Sequence, residues 1–454
     1  LSSALRTWVE DALDYLNKNA QASFRSYSDE RWQRGEDGAY RRGEVIETAL
    51  SHEAIEKLKQ LPSYTALEAV ASASPVIGPM IGQLVGSGMG LSQFDLWQLA
   101  GAALPPASEI ISGTISTSFD ERYSEIMRQT AEAEATYETV CLVQGVSFEA
   151  DPLQLAPGLA IAKLTPAEVE NSLASGLLAS TFGSVPIYQL QEGASFALKR
   201  LAKIPRIVGA TISDDQRDTA AKIQDMSEDS EQLLQCLSLL TSERISITGQ
   251  LTVRTDSDFT AFGSARWFRS YPAPRPFIGP GYRLDASKCE ELRNLWTLAH
   301  DESFPQNKAL ALALRRLGFA TQRDRPEDRL LDVFIASEAF YLTDNAGDAK
   351  DRGELKYRLA LRAAVWSDGT LDDWSKRQVF QHMRRGYDIR STIAHGGEPK
   401  PRDLKIKDQS VELNAFVQTT EGIVRAALYK ALRQIQGTST RLIIPWDDLI
   451  LPDS

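Results

Sequence analysis

From Leu413 to Ile435 the chain carries a stripe of Leu413, Phe416, Val417, Thr420, Val424, Ala427, Leu428, Ala431 and Ile435, spaced for one face of an α-helix. A face that long must be buried against other apolar surfaces, so this end of the chain has to fold as packed helices. Upstream, LDVFIASEAFYL is apolar almost all round, as a buried helix is, and ELKYRLALRAAVW follows after a polar loop, TDNAGDAKDRG. A third helix is predicted from Leu371 towards His395, weakened or bent at Gly386. Four helices with short connections predict an antiparallel bundle.

The whole chain of 454 residues is too long for one core, and about three domains are expected. Residues 1–136 read as mostly helical, 137–281 as an α+β domain and 282–454 as the helical bundle, giving a multidomain α+β protein. The middle part contains strand-like runs, TVCLVQGVSF, LAIAKL, RISITGQLTVRT and SARWFRSY, between the helical PAEVENSLAS and TAAKIQDMSEDSEQLLQCLSLL. The proline-rich YPAPRPFIGPGY places a boundary near Gly281. One segment is unusual: Ala69 to Phe94 has no charged residue, and Gly78, Gly82, Gly86 and Gly90 recur at every fourth position, as in packed membrane helices. Pro75, Pro79 and Gly88 interrupt it, so close helix packing or a surface loop is the favoured expectation, and a membrane-acting effector the less favoured one.

Three cysteines far apart form neither a disulfide framework nor a zinc pattern, and the N-terminus lacks the order of a signal peptide; a reducing, cytoplasmic setting is expected. A net charge of −11 argues against coating nucleic acid by charge alone. Locally the balance reverses: Trp374 to Lys407 holds nine cations, among them Lys376, Arg377, Arg384 and Arg385, against three anions. No Walker loop, HExxH or strand-to-helix GxSxG is present; GSGMG lacks the lysine, and AGDAKD lacks calcium-loop spacing.

Within the basic island lies YDIRSTIAHGG, Tyr387 to Gly397, in a chain with only four histidines. An arginine and a histidine with four to six residues between them occur three times, so context must choose among them. Arg293 and His300 lie nearly two helical turns apart and read as structural. Arg377 and His382 are expected on the wet side of their helix, away from Val379, Phe380 and Met383. Arg390 and His395 differ, because they follow Tyr387 and end against Gly396 and Gly397. A buried Glu338 is expected to pair with Arg358 or Arg362.

DVFIASEAFYL, LKYRLALRAAVW and YDIRSTIAHGG, in this order, resemble the Apea-like branch of the HEPN superfamily, whose signature is Arg, four to six residues, then His. The similarity covers 327–436, and YETVCLVQGVSFEADPLQLAPGLAIAKLTPAEV looks like the domain that often precedes such modules. The resemblance implies a metal-independent endoribonuclease without cofactor, acting as a regulated toxin or effector in prokaryotic antiviral defence, with Arg390 and His395 as the catalytic pair. It also implies a homodimer or an oligomer of dimers, with RNA and a trigger protein as partners. Tyr387, Asp388, Ser391 and Glu338 are the supporting candidates, and Lys376, Arg377, Arg384 and Arg385 the RNA-binding ones. Ser391 departs from the Asn, Asp or His often found after the arginine. Some HEPN domains only bind, so a non-catalytic RNA- or protein-binding module is the alternative.

The residue types suit the chemistry. Cutting RNA without metal needs a base for the ribose 2′-OH, an acid for the leaving 5′-oxygen, and donors for the charge gathering on phosphorus. Imidazole exchanges protons near neutral pH, and guanidinium stays charged and can bind two phosphate oxygens. Five residues at about 100° each set Arg390 and His395 about 140° apart around a helix, so one chain presents an incomplete site; a two-fold axis would bring two of each into one cleft.

Overall fold

The computed structural model describes residues 1–34, 40–87, 92–174, 196–209, 225–256, 266–270, 281–301, 304–343, 354–371, 373–407, 409–435 and 442–451. The proline-rich boundary segment from 271 to 280, Gly90, and the loop 344–353 lie outside them. The chain forms two compact units from interleaved stretches, 1–141, 164–226 and 249–271 in one and 142–163, 227–248 and 272–454 in the other, where the sequence suggested consecutive domains.

The first unit mixes helices and strands. Its helices are α1 (Ser2–Lys18), α2 (Ala20–Ser23), α3 (His52–Lys59), α4 (Pro62–Ser72), α5 (Leu96–Ala103), α6 (Ala107–Ser112), α7 (Phe119–Ala131) and α8 (Pro166–Ala174). Leu5, Trp8, Ala12 and Leu16 of α1 recur at helical spacing and are buried with Leu58, Leu67, Phe94 and Leu99. Trp8 meets Trp97 edge to face at 5.9 Å. Between α2 and α3 runs an antiparallel hairpin, β1 (Phe24–Arg34) and β2 (Tyr40–Leu50), with Phe24 opposite Leu50. It adds a long strand pair to a third of the chain that is otherwise mostly helical, as expected.

A second correction concerns the recurring glycines. After α4 the chain makes a 3-10 turn at Gly78–Met80 and then two short strands, β3 (Leu84–Ser87) and β4 (Ser92–Gln93). Gly82 has φ +78°, a left-handed turn conformation that glycine adopts without strain. Gly78, Gly82 and Gly86 therefore lie in turns and a strand, not on a helix–helix seam. Among the described residues no helix is long and apolar enough to cross a membrane.

The four strand-like runs of the middle part form β5 (Glu134–Gln144), β6 (Val146–Phe148), β8 (Leu159–Lys163), β10 (Ser246–Arg254) and β11 (Arg266–Ser270), and the structure adds β7 (Leu153–Ala156) and β9 (Phe196–Gly209), which the sequence reading did not identify. β11, β10, β5, β9, β3 and β4 neighbour one another in that order. β9 runs antiparallel to β3, and β10 to β11.

The second unit is mainly helical. The hairpin β7–β8 and the parallel pair of β6 with β12 (Tyr282–Leu284) accompany eight helices among its described residues. These are α9 (Ser227–Leu240), α10 (Ala286–Ala299), α11 (Lys308–Gln322), α12 (Pro326–Tyr341), α13 (Leu355–Trp366), α14 (Lys376–Ala394), α15 (Leu413–Gln434) and α16 (Trp446–Ile450). Two short strands, β13 (Lys405–Ile406) and β14 (Gln409–Ser410), link α14 to α15, so the segment beyond 281 is not purely helical. α12 is the hub, touching α11, α13, α14 and α15. That explains its apolar surface all round: Leu330, Val333, Phe334, Ala336 and Tyr341 are buried. The α15 stripe buries Phe416, Val417, Thr420, Val424, Ala427, Leu428 and Ala431 as its spacing requires. Cys141, Cys236 and Cys289 are all buried as thiols.

One charged pair is deep in this unit. Glu421 of α15 is fully buried and takes Nε and Nη2 of Arg329 at 3.0 and 2.6 Å. A fork-on-carboxylate geometry of this kind offsets much of the desolvation cost of burying both charges.

Candidate functional site

α14 positions the Arg–His motif. It opens with a capping box, in which Ser375 accepts from the Gln378 backbone and the Gln378 side chain returns to Ser375. It then runs unbroken to Ala394, correcting the expected weakness at Gly386. Gly386 is there for space: a Cβ at that position would sit 2.7 Å from Cζ of Phe334 on α12. Its absence lets the two helices approach closely.

The helix stops at His395, its C-cap, with φ −93° and ψ 13°. Gly396 follows at φ +76°, and the Gly397 N–H returns to the Thr392 carbonyl at 2.9 Å. A left-handed glycine after the cap is how many helices terminate, so the glycine pair has a structural reason of its own. Its consequence is to leave His395 exposed at the helix end. Among the described residues no side-chain partner holds its imidazole.

Arg390 is anchored instead. Its Nη2 donates to Oε2 of Glu338 at 3.3 Å, and its guanidinium lies 5.7 Å from the Tyr387 ring centre. Tyr387 packs edge-on to Phe334 at 6.0 Å. Burial first, then the Glu338 charge beside it, pushes the Tyr387 hydroxyl above its ordinary pKa. Glu338, Tyr387 and Arg390 therefore form one cluster across α12 and α14.

This overturns the expected partners of Glu338. Arg362 sends Nη1 to the Tyr341 carbonyl at 2.7 Å and lies 5.0 Å from the Trp446 ring, and Glu338 faces α14 instead. Glu338 is also not deeply buried, with about a quarter of its side chain exposed at 27%. Asp388 points to solvent and binds Lys356 at 2.9 Å. Ser391 is half-buried one residue after Arg390.

Of the predicted RNA-binding cations, Arg377 and Arg384 are exposed on α14. Lys376 pairs with Asp368 at 2.9 Å, and Arg385 donates to the Lys405 carbonyl at 2.8 Å. Two of the four are thus tied into local structure.

The other histidines separate cleanly. His300 caps α10 and its Nδ1 meets the Trp296 carbonyl at 2.8 Å, the structural role expected for it. His382 was expected on the wet side, and the structure corrects this: it is 2% exposed, bonded to the Thr420 hydroxyl at 2.9 Å and stacked on Phe416 at 4.3 Å. Burial, with Arg385 nearby, pulls its pKa down to about 3. A neutral core histidine is not a proton shuttle for solvent-borne RNA.

Among the described residues no cluster of three or more His, Cys, Asp or Glu side chains is arranged to hold a metal ion. Comparison of the chain with protein-family models, with curated proteins and with solved structures returns no match.

Proposed function

We propose that the second unit is a HEPN-type endoribonuclease that cuts RNA without a metal ion, its site composed from Arg390 and His395 of two copies. The observation that carries this is the contrast along α14: Arg390 is oriented by Glu338 and Tyr387, while His395, at the helix end, is exposed and unheld. A fixed cation suits phosphate binding, and an accessible imidazole suits proton transfer.

In the reaction one imidazole takes the 2′-OH proton as that oxygen bonds to phosphorus. The P–O5′ bond breaks, and the second imidazole, protonated, gives its proton to the departing O5′. The products are a 2′,3′-cyclic phosphate and a 5′-OH. Arg390 meets the negative charge on the non-bridging oxygens, and exposed Arg377 and Arg384 contribute attraction for the RNA backbone. A regulated effector of antiviral defence, working in the cytoplasm and switched by a trigger, is the biological setting we assign.

A binding module that holds RNA or a partner protein without cutting is the second reading. The Glu338 carboxylate favours it, because it already neutralises Arg390.

The His395→Ala variant decides between them. Loss of cleavage by about 100-fold or more with RNA binding retained is expected of the enzyme. Undiminished cleavage by this variant would remove the assignment, and a parent protein that binds but never cuts RNA is the binding module.

A further inference from the structure

A groove of about 740 Å³ opens in the second unit along α15, away from the Arg–His motif, between the end of α9, α10 and the turn after α13. That volume falls within the range of small-molecule sites, which is about 300–1,000 Å³. Two observations show that it is more than a crevice between helices.

The first is an excess of positive charge. The Glu421 carboxylate is bound at both oxygens by Arg329, yet a second arginine, Arg425, lies one turn further along α15 and lines the groove. Arg425 donates Nε to the Ser238 carbonyl at 2.7 Å, and its Nη2, sealed from solvent, has no hydrogen-bond partner among the described residues. Burial pulls this guanidinium below its ordinary pKa, and Arg329 adds to the effect. Two guanidinium groups thus face one carboxylate, and a half-buried cation without a full set of acceptors is costly. Lys430 and Arg433 line the same groove, as do Asp368 and Glu291. Asp368 binds Lys376 at 2.9 Å and also acts on Lys430, whose Nζ donates to the Trp366 carbonyl at 2.7 Å, and Glu291 accepts from the Tyr429 hydroxyl, so three cations face two acids across the groove.

The second is Gly422. It lies inside α15 on the groove wall, where glycine weakens a helix. A Cβ there would meet nothing within 4 Å, so neither close packing nor a turn requires the glycine. What it does is keep the groove clear.

We propose that this groove binds a small phosphate-bearing ligand of the diphosphate class, either a free diphosphate or a nucleoside diphosphate. Arg425 supplies positive charge at the floor, and Arg433, with Lys430 beside it, makes the direct contacts. Arg433, exposed and 5.9 Å from the Tyr429 ring centre, is placed to fold over the bound group, and Tyr429 offers a flat face to a base. Guanidinium forks match phosphate oxygens in pairs, which sets this class above a monocarboxylate.

The test is calorimetric titration of the full chain with inorganic pyrophosphate and, separately, with ADP, at matched ionic strength. Saturable binding at one site per chain is expected for at least one of them. ADP binding more tightly assigns the site to a nucleotide, and equal or weaker ADP binding assigns it to the bare diphosphate. Arg425→Gln should weaken binding by about tenfold to a hundredfold. Gly422→Phe, which has room for its Cβ, should abolish binding while thermal melting stays at or above that of the parent. No saturable heat with either probe, or unchanged affinity in Gly422→Phe, overturns the proposal.

Discussion

His382 and His395 lie on one helix and at its end, and their surroundings are opposite. His382 is enclosed by Thr420, Phe416 and Trp374, whereas His395 faces solvent. The difference has a measurable sign. The folded pKa of His382 is lowered from 6.5 to about 3, so the unfolded chain takes up a proton first. Its contribution to stability is complete above pH about 6.5 and declines by about 1.4 kcal/mol per pH unit as pH falls towards 3. Denaturant melts of the parent and of His382→Gln between pH 7 and 4 should therefore converge as pH falls; parallel curves contradict a neutral buried imidazole. The signal for its burial was present in the sequence, since Val379, His382, Met383, Gly386 and Ile389 share one helical face and all are buried. Polar identity obscured it. The Glu338 partner was illegible for another reason: adjacent helices suggested α13, and only the packing of α14 on α12 brings Arg390 to it.

At the scale of elements, periodicity served well where one face is buried and poorly where the described side chains are largely exposed. The α15 stripe and the core runs in β5 and β8 could be read directly, because each buries a regular set of side chains. The β1–β2 hairpin could not. Its runs, FRSYSDERWQR and YRRGEVIETAL, are largely polar, and Tyr27 and Ile46 are 48% and 70% exposed. None of the described side chains of the pair is fully buried, which leaves little alternation to find. Gly386 misled in the opposite direction, as a residue that breaks helices in isolation but here admits Phe334. Gly386→Ala gains helix propensity and meets the Phe334 ring, and overpacking should dominate with a loss of about 1–3 kcal/mol in chemical denaturation. A stabilised variant would show that α12 and α14 are free to separate.

For the whole molecule, the mixed α+β character follows from sequence patterning, and the interleaving of its two units does not. Chain order carries no record of which distant strands will pair, because that choice is made by tertiary burial. The proposed composite site makes a demand on assembly. One helix sets its arginine and histidine on different sides, so an active protein must associate, and sedimentation velocity should show a dimer, or a multiple of one, at micromolar concentration. A strictly monomeric species that still cuts RNA contradicts the two-copy arrangement.

The most direct test is incubation of the purified chain with total cellular RNA in excess EDTA, followed by chemical mapping of the new ends. New 2′,3′-cyclic phosphate and 5′-hydroxyl termini, absent when Arg390 or His395 is replaced by alanine, are the predicted result. Intact RNA, or cleavage that survives both substitutions, would contradict it.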